Sequence, residues 1–515
     1  MKTNAVKICV PISVSRANEI IPAMNRAAEA GDLIELRLDY LEQQERHAAL
    51  LTLLNYLKTS DKSLIVTLRS QAQGGQAVLD DETRQRFWLS LNDLPGNSFA
   101  DLELDLVNEF SQNHVNEKLA FEWDQVICSH HDFKCVPADL TEIYQRLAAT
   151  PARVVKIAVQ ASDSTDCLAI FRLLERAYRD GREIIAIAMG AAGVMTRVLG
   201  PSRGSFLTYG SLADQSATAP GQLTARELRD VYRIDRLDRS TAVLGIIGNP
   251  VGHSLSPYIH NAAFAANSIN AVYLPLEVRD AGQFIRRMVR PDSREIDWHM
   301  RGLSVTAPHK SAVMEHLDWI DPGAKEIGAV NTIVIREGQL HGFNTDAAGF
   351  ISPLQDKFES LRNVRCAIIG AGGGARAALW ALGRQNADSV LFARDLQKGK
   401  SLAQSFDIGC RPLADACFEG FDLVVNTTPL GTQGSRENET PVSGEKLRGV
   451  RLAYDLVYNP SETRFLREAR LAGCETLSGF EMLIAQAIEQ FKLWIGGEPD
   501  AQVMRAAALR KLAGR

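Results

Sequence analysis

Over roughly the first 230 residues, short β-branched apolar runs alternate with segments whose apolar positions recur every three or four residues. The strand-like runs are "KICVPIS" (7–13), "LIELRLD" (33–39), "SLIVTLR" (63–69), "FADLELD" (99–105), "QVICSHH" (125–131), "VVKIAVQ" (154–160), "EIIAIAM" (183–189) and "SFLTYG" (205–210). Between them, stretches such as "RANEIIPAMNRAAEA" and "SDSTDCLAIFRLLERAYRD" read as amphipathic helices. Eight strands alternating with helices over this length predict a (β/α)8 barrel. The charged stretch "RDVYRIDRLDR" (229–239) lacks apolar periodicity and reads as a short linker. Beyond it the α/β rhythm restarts with "AVLGIIG", "AVYLPLEV" and "RGLSVTAP". A further set, "VRCAIIG", "SVLFARD", "DLVVNTT" and "LAYDLVY", predicts a doubly wound, Rossmann-like parallel sheet. The last long helix, "FEMLIAQAIEQFKLWI", is expected to pack back across the cleft between these two parts. The expected domains are 1–230, a linker at 231–240, and 241–515. The last divides into a part at about 241–350 with the C-terminal helices and a part at about 360–478.

Composition narrows the class without naming a function. The 515 residues are 45% hydrophobic and 23% charged with a net charge of -5, as expected of a water-soluble protein. No basic patch points to nucleic acid. The apolar run at 184–195 is too short to span a bilayer. "MKTNAVKICVPISV" enters a strand directly with no small-residue cleavage site, so no signal peptide is expected. Eight scattered cysteines without C-x-x-C pairs suggest reduced thiols in the cytoplasm, and neither a disulfide frame nor a metal site.

The candidate chemistry of the first half centres on one lysine. Lys156 interrupts the apolar run "RVVKIAV". An edge-strand lysine turned to water, a structural ion pair and an amine kept for chemistry all fit that stretch. Other strands carry comparable anomalies. Glu35 and Arg37 lie in the second, Arg69 ends the third, Glu103 lies in the fourth, and His130 and His131 end the fifth. Barrel sites form where strands end, so these groups are expected to converge on one mouth. There a lysine amine can form an imine with a ketone, with apolar neighbours and Arg37 or Arg69 expected to lower its pKa. His131 is the expected proton carrier, Glu103 its orienting partner, and Arg197 a carboxylate ligand.

In order, "ELRLD", "TLRS", "DLELD", "SHHDF", "KIAV", "GVMTR" and "TAPGQ" resemble type I 3-dehydroquinate dehydratases across essentially the whole first half. The resemblance implies Lys156 as the Schiff-base lysine, His131 as general acid/base and Glu103 as its partner. It implies Glu35, Arg37, Arg69, Arg197 and Gln222 as substrate ligands, with Thr218 where many relatives have serine.

In the second half, "GAGGGARAALWAL" follows an apolar strand and opens a helix. Gly370, Gly372 and Ala375 fit a dinucleotide fingerprint, in which glycines let a pyrophosphate approach a helix N-terminus. Past the next strand, Asp395 would suit an NAD ribose, whereas Arg394 and Lys398 would suit the NADP 2′-phosphate; Arg394 comes first and favours NADP. With "GHSLSP", "SVTAPHK", "GAVNT", "GFNTDAAG", "DLVYNP" and "GFEMLIAQ", this half resembles shikimate dehydrogenases. The resemblance implies Lys310 and Asp346 as the catalytic pair. It implies Ser254, Ser256, Thr306, Asn331, Tyr458 and Gln486 as substrate ligands. NADP would lie against Gly370, Ala371, Gly372, Gly373, Gly374 and Ala375, with Ala393, Arg394, Lys398, Thr427 and Gly479. Ser304 departs from the family's usual asparagine, and "ARD" from its Asn-Arg-Thr. The expected activity is dehydration of 3-dehydroquinate followed by NADPH-dependent reduction to shikimate. A class I aldolase, an NAD-linked quinate dehydrogenase and a ligand-sensing descendant are the rival readings.

Overall fold

The computed structural model describes residues 6–59, 62–91, 94, 97–111, 119, 121–212, 219 and 221–514. Strands β1 (Ile8–Ile12), β2 (Leu33–Arg37), β3 (Ser63–Thr67), β4 (Phe99–Glu103), β5 (Val126–Asp132), β6 (Val154–Gln160), β7 (Glu183–Met189) and β8 (Thr208–Tyr209) form one parallel sheet. Its order is β7-β6-β5-β4-β3-β2-β1-β8, and a parallel bridge between Ile184 and Ser205 brings its two edges together into a nearly closed barrel.

The two-residue period of a strand decides what the barrel encloses. One set of alternate positions builds an apolar floor of Leu33, Ile65, Phe99, Ile127, Val154 and Ile185. Two residues further along the same strands stand Glu35, Thr67, Asp101, Ser129 and Lys156, all buried. The intervening positions, including Ile34, Val66, Leu102, Val155 and Ile157, join the large core shared with the surrounding helices. Lys156 is therefore one of several polar members of an inward-facing layer, one layer above Val154.

The charged stretch after the barrel is not an extended tether. Glu227–Val231 and Ile234–Arg236 form helical turns, and Leu228, Tyr232, Ile234 and Leu237 are buried. Alternating charged and apolar residues hid that packing from a periodicity reading.

Two more sheets follow. β9 (Ala242–Gly248), β10 (Ala271–Glu277), β11 (His299–Val305), β12 (Trp319–Ile320), β13 (Thr332–Arg336) and β14 (Gln339–Phe343) pair in the order β10-β9-β11-β13-β14-β12. Here β13 runs antiparallel to both β11 and β14. β15 (Arg365–Ile369), β16 (Asp388–Ala393), β17 (Gly409–Pro412), β18 (Leu423–Asn426), β19 (Leu452–Asp455) and β20 (Glu475–Ser478) form a parallel sheet ordered β17-β16-β15-β18-β19-β20. The order reverses direction at β15, the switch point at which doubly wound sheets bind ligands. Helix Gly479–Ile495 packs against helix Asp346–Gln355 and contacts β11 and β13, so it spans both parts as its amphipathic pattern predicts. Among the described residues no helix is long and apolar enough to cross a membrane.

Candidate active sites

At the barrel mouth Lys156 is only 4% exposed, and Nζ donates to Asp101 Oδ2 (2.8 Å), Tyr209 Oη (2.8 Å) and Glu35 Oε1 (3.2 Å). This differs from the environment expected from sequence, in which arginines were the nearest charges. The inward layer instead sets two carboxylates on the amine, and Arg69 lies behind Asp101 at 2.8 Å. Burial opposes ionisation of Asp101, but Arg69 and Lys156 hold its carboxyl well below the usual carboxylate range. Burial and the carboxylate Glu35 push the Tyr209 phenol well above its ordinary value, so it stays neutral.

Burial, with the charges of Arg69 and Lys156, pushes the His131 imidazole well below its usual range. A neutral ring above a buried lysine is poised to accept a proton. Its backbone amide donates to Gln73 Oε1 at 2.9 Å, and Nδ1 lies 3.4 Å from the same oxygen. Glu103 makes neither contact. It accepts from the Ser70 amide (2.8 Å) and from Arg84 (2.7 Å), and so braces the wall of the barrel. Period two correctly turned Glu103 inward, but the partner nearest the imidazole comes from the loop after β3, which strand reasoning does not reach.

Arg37, Arg69, Arg197 and Gln222 line the same cavity as Lys156 and His131. Arg37 is held bidentately by Asp39 at 2.8 Å. Arg197 is deeply buried, which pushes its guanidinium down to about 10. Thr218 lies outside the described residues. Sequence reasoning missed Gln73, Asp101 and Tyr209; the inward phase shared with Lys156 was the signal for the last two.

The second site is a cleft of about 790 Å³ between the two α/β parts, within the range of small-molecule sites. Lys310 and Asp346 meet in it as an ion pair, Lys310 from the turn after β11 and Asp346 from the first position of its helix. Asn331 Nδ2 donates to the other Asp346 oxygen at 2.8 Å and to Thr345 Oγ1 at 3.0 Å. Asn331 therefore orients the carboxylate besides lining the cleft. Ser254, Ser256, Thr306, Tyr458 and Gln486 line the same cleft. Ser304, in place of the expected asparagine, accepts from Tyr273 Oη (2.5 Å) and donates to Gln490 Oε1 (3.0 Å).

The dinucleotide fingerprint sits where its chemistry requires. Gly370 closes β15 with φ of 111°, a left-handed conformation that favours glycine, and a Cβ there would lie 2.7 Å from Thr427 Oγ1. Ala371 and Gly372 lead into helix Gly373–Arg384, whose first turn includes Gly374 and Ala375. Gly374, Thr427 and Gly479 line the cleft, and a Cβ on Gly479 would meet the Leu456 carbonyl at 2.3 Å. Ala393 and Arg394 line a separate cavity beyond β16. The Asp395 side chain caps helix Leu396–Ser405, accepting from the amides of Gln397 and Lys398 at 3.1 Å each. Arg394 and Lys398 are exposed and enter no ion pair among the described residues. This set fits NADP: a helix N-terminus for the pyrophosphate and two unpaired cations for a 2′-phosphate.

Comparison with known proteins agrees with both halves. The family model for type I 3-dehydroquinase matches residues 8–239. The shikimate dehydrogenase substrate binding domain matches 246–333, and the shikimate 5′-dehydrogenase C-terminal domain matches 479–509. A shikimate dehydrogenase (NADP(+)) of Caldanaerobacter subterraneus subsp. tengcongensis is 39% identical over 269 residues, 51% of this chain and 94% of that protein. A crystal structure of a shikimate dehydrogenase in complex with NADP+ superposes with a TM-score of 0.50 at 35% identity, covering 54% of this chain and 97% of that one. The chloroplastic bifunctional 3-dehydroquinate dehydratase/shikimate dehydrogenase of Arabidopsis thaliana is 34% identical over 516 residues, 96% of this chain and 82% of that protein. A barrel with a buried lysine, a dinucleotide cleft and this end-to-end similarity lead to one conclusion: the chain belongs to the family of bifunctional 3-dehydroquinate dehydratase/shikimate dehydrogenases.

Proposed function

We propose that the barrel dehydrates 3-dehydroquinate through an imine on Lys156 and that the cleft reduces the product, 3-dehydroshikimate, to shikimate with NADPH. The observation that carries this reading is a buried lysine amine beneath a neutral imidazole, with two carboxylates and a phenol on Nζ. Lys156 gives a proton to the neutral His131 and attacks the ketone; His131 returns that proton as the carbinolamine loses water, leaving a protonated imine. That cation acidifies the adjacent C–H, His131 removes the proton, and the β-hydroxyl leaves with a proton returned by His131. Hydrolysis of the imine frees Lys156. Arg37, Arg69, Arg197 and Gln222 bind the substrate's carboxylate and hydroxyls, and Gln73 orients His131.

In the second reaction NADPH supplies hydride when bound. Gly370–Ala375 and the first turn of the following helix hold its pyrophosphate, and Arg394 with Lys398 hold its 2′-phosphate. Lys310 provides positive charge and a proton to the carbonyl oxygen as it becomes a hydroxyl, while Asp346, oriented by Asn331, holds Lys310. Ser254, Ser256, Thr306, Tyr458 and Gln486 position the ring. The domains follow as a dehydratase at 1–230, a linker at 231–240 and a dehydrogenase at 241–515. The capping role of Asp395 supports NADP over NAD, because its carboxylate already accepts two backbone amides.

A coupled assay tests the reading. The full chain given 3-dehydroquinate and NADPH is expected to show both ring dehydration and NADPH consumption. Dehydration without NADPH loss would leave the first half standing and reject the second.

A further inference from the structure

Residues 224–227, "TARE", form a capping box. The Thr224 amide and Oγ1 donate to Glu227 Oε2 at 3.0 and 3.1 Å, and the Glu227 amide donates to Thr224 Oγ1 at 3.0 Å. Thr224 also bridges to Ser211, two residues past β8. This box therefore anchors the segment that begins with Gln222, a residue lining the barrel mouth.

The other oxygen of the same carboxylate reaches into the dehydrogenase half. Glu227 Oε1 accepts from Tyr258 Oη at 2.5 Å and from Lys511 Nζ at 2.8 Å. Tyr258 lies in helix Ser256–Ala266, two residues after Ser256 of the cleft, and Lys511 lies in the terminal helix Ala501–Ala513. Lys511 Nζ also sits 4.9 Å from the Tyr258 ring centroid. The Lys511 and Glu227 side chains are 18% and 14% exposed, so this is a partly desolvated, charge-assisted contact and not a solvated surface pair. One carboxylate thus joins the segment beside Gln222, the helix beside Ser256 and the last helix of the chain.

We propose that Glu227 is a positioning residue for the dehydratase whose hold is supplied by the dehydrogenase half, through Tyr258 and Lys511. The proposal rests on Gln222 binding the dehydratase substrate. With Tyr258 and Lys511 engaged, the capping box is pinned from outside and Gln222 keeps its place at the mouth. Without them the box persists, but the segment gains freedom that substrate binding must remove. The effect therefore falls on binding and not on bond breaking.

The test uses full-length Tyr258→Phe, Lys511→Met and the double variant, with both activities measured on each preparation. The double variant is expected to raise the dehydratase KM roughly three- to tenfold, with kcat within about twofold, as losing hydrogen bonds to a charged group implies. Lys511→Arg is expected to restore most of the loss. An unchanged dehydratase KM in the double variant overturns the proposal. So does a parallel fall in kcat, both activities and Tm that Lys511→Arg does not reverse, because that pattern is general destabilisation. Gln222→Ala separates the proposal from its premise. If Gln222→Ala raises KM while the double variant does not, the coupling is wrong and the site reading stands. If only the double variant raises KM, Gln222 is not what Glu227 positions, and the proposal falls with its premise.

Discussion

Both sites hold a lysine against a carboxylate, and they do so by opposite means. Lys156 rises from the middle of a strand, and its partners Glu35, Asp101 and Tyr209 come from strands of the same barrel. Lys310 comes from a turn and Asp346 from a helix start, and the Lys310 side chain is 23% exposed. The difference fits the chemistry we propose for each site. A lysine that bonds covalently to substrate needs a dry, rigid site with its hydrogen-bond partners already in place, and a strand ladder fixes those positions. A lysine that donates to a developing alkoxide must share its cleft with a cofactor, and loop and helix ends leave that room.

The largest expected effect breaks one site and leaves the other. Lys156→Ala should lower dehydration more than about 10³-fold, because the covalent route is lost altogether, while reduction of 3-dehydroshikimate continues. Borohydride added with substrate should trap a single adduct on Lys156, seen by mass spectrometry; an adduct on another lysine would reject the imine assignment. In the cleft, Lys310→Ala or Asp346→Ala should lower the dehydrogenase kcat by roughly 10²-fold or more with a smaller change in KM. Folded variants losing less than about tenfold would remove the pair from the proton transfer.

Smaller effects sharpen the contrast. Arg394→Ala should raise the KM for NADPH by about tenfold or more and leave that for NADH nearly unchanged, since only one cofactor loses a charge-assisted contact. For His131, the base form is the neutral ring, and its pKa lies well below the ordinary value. The dehydratase kcat/KM should therefore stay flat as pH falls through about 6.5 and decline only below it; a decline centred at the usual imidazole value would contradict the buried environment. The smallest change is Asp395→Ala, which should cost about 1 kcal/mol in thermal unfolding through the lost helix cap. It should leave the ratio of NADPH to NADH activity unchanged; a selective loss of NADH activity would instead restore the ribose role.

The alternation of strands and helices was legible along the barrel half, and so was the oddity of Lys156. The reason is that period-two burial leaves one side-chain type at each layer, and a charged residue inside that pattern stands out. Asp101 and Tyr209 were equally in phase, yet "FADLE" and "LTYG" pass as ordinary strand ends until the layers are stacked. Glu103 illustrates the limit: it had the right phase and layer, but the arginine it faces comes from the helix Asp81–Ser90, so it braces the wall and leaves the imidazole to Gln73. Asp395 is similar, since a residue that opens a helix can cap it or bind a ribose, and only the position of its oxygens decides.

By itself the amino-acid sequence determined the element order, the family and which lysine, histidine and glycine-rich turn to propose for the chemistry, because these depend on local periodicity and on residue type at short spacing. Only the tertiary structure decided the partners: the carboxylates on Lys156, the amide beside His131, the asparagine behind Asp346, and the Glu227 contact between residues 284 positions apart. Such contacts depend on strand stagger, helix packing and domain docking, which bring together side chains that no local pattern relates.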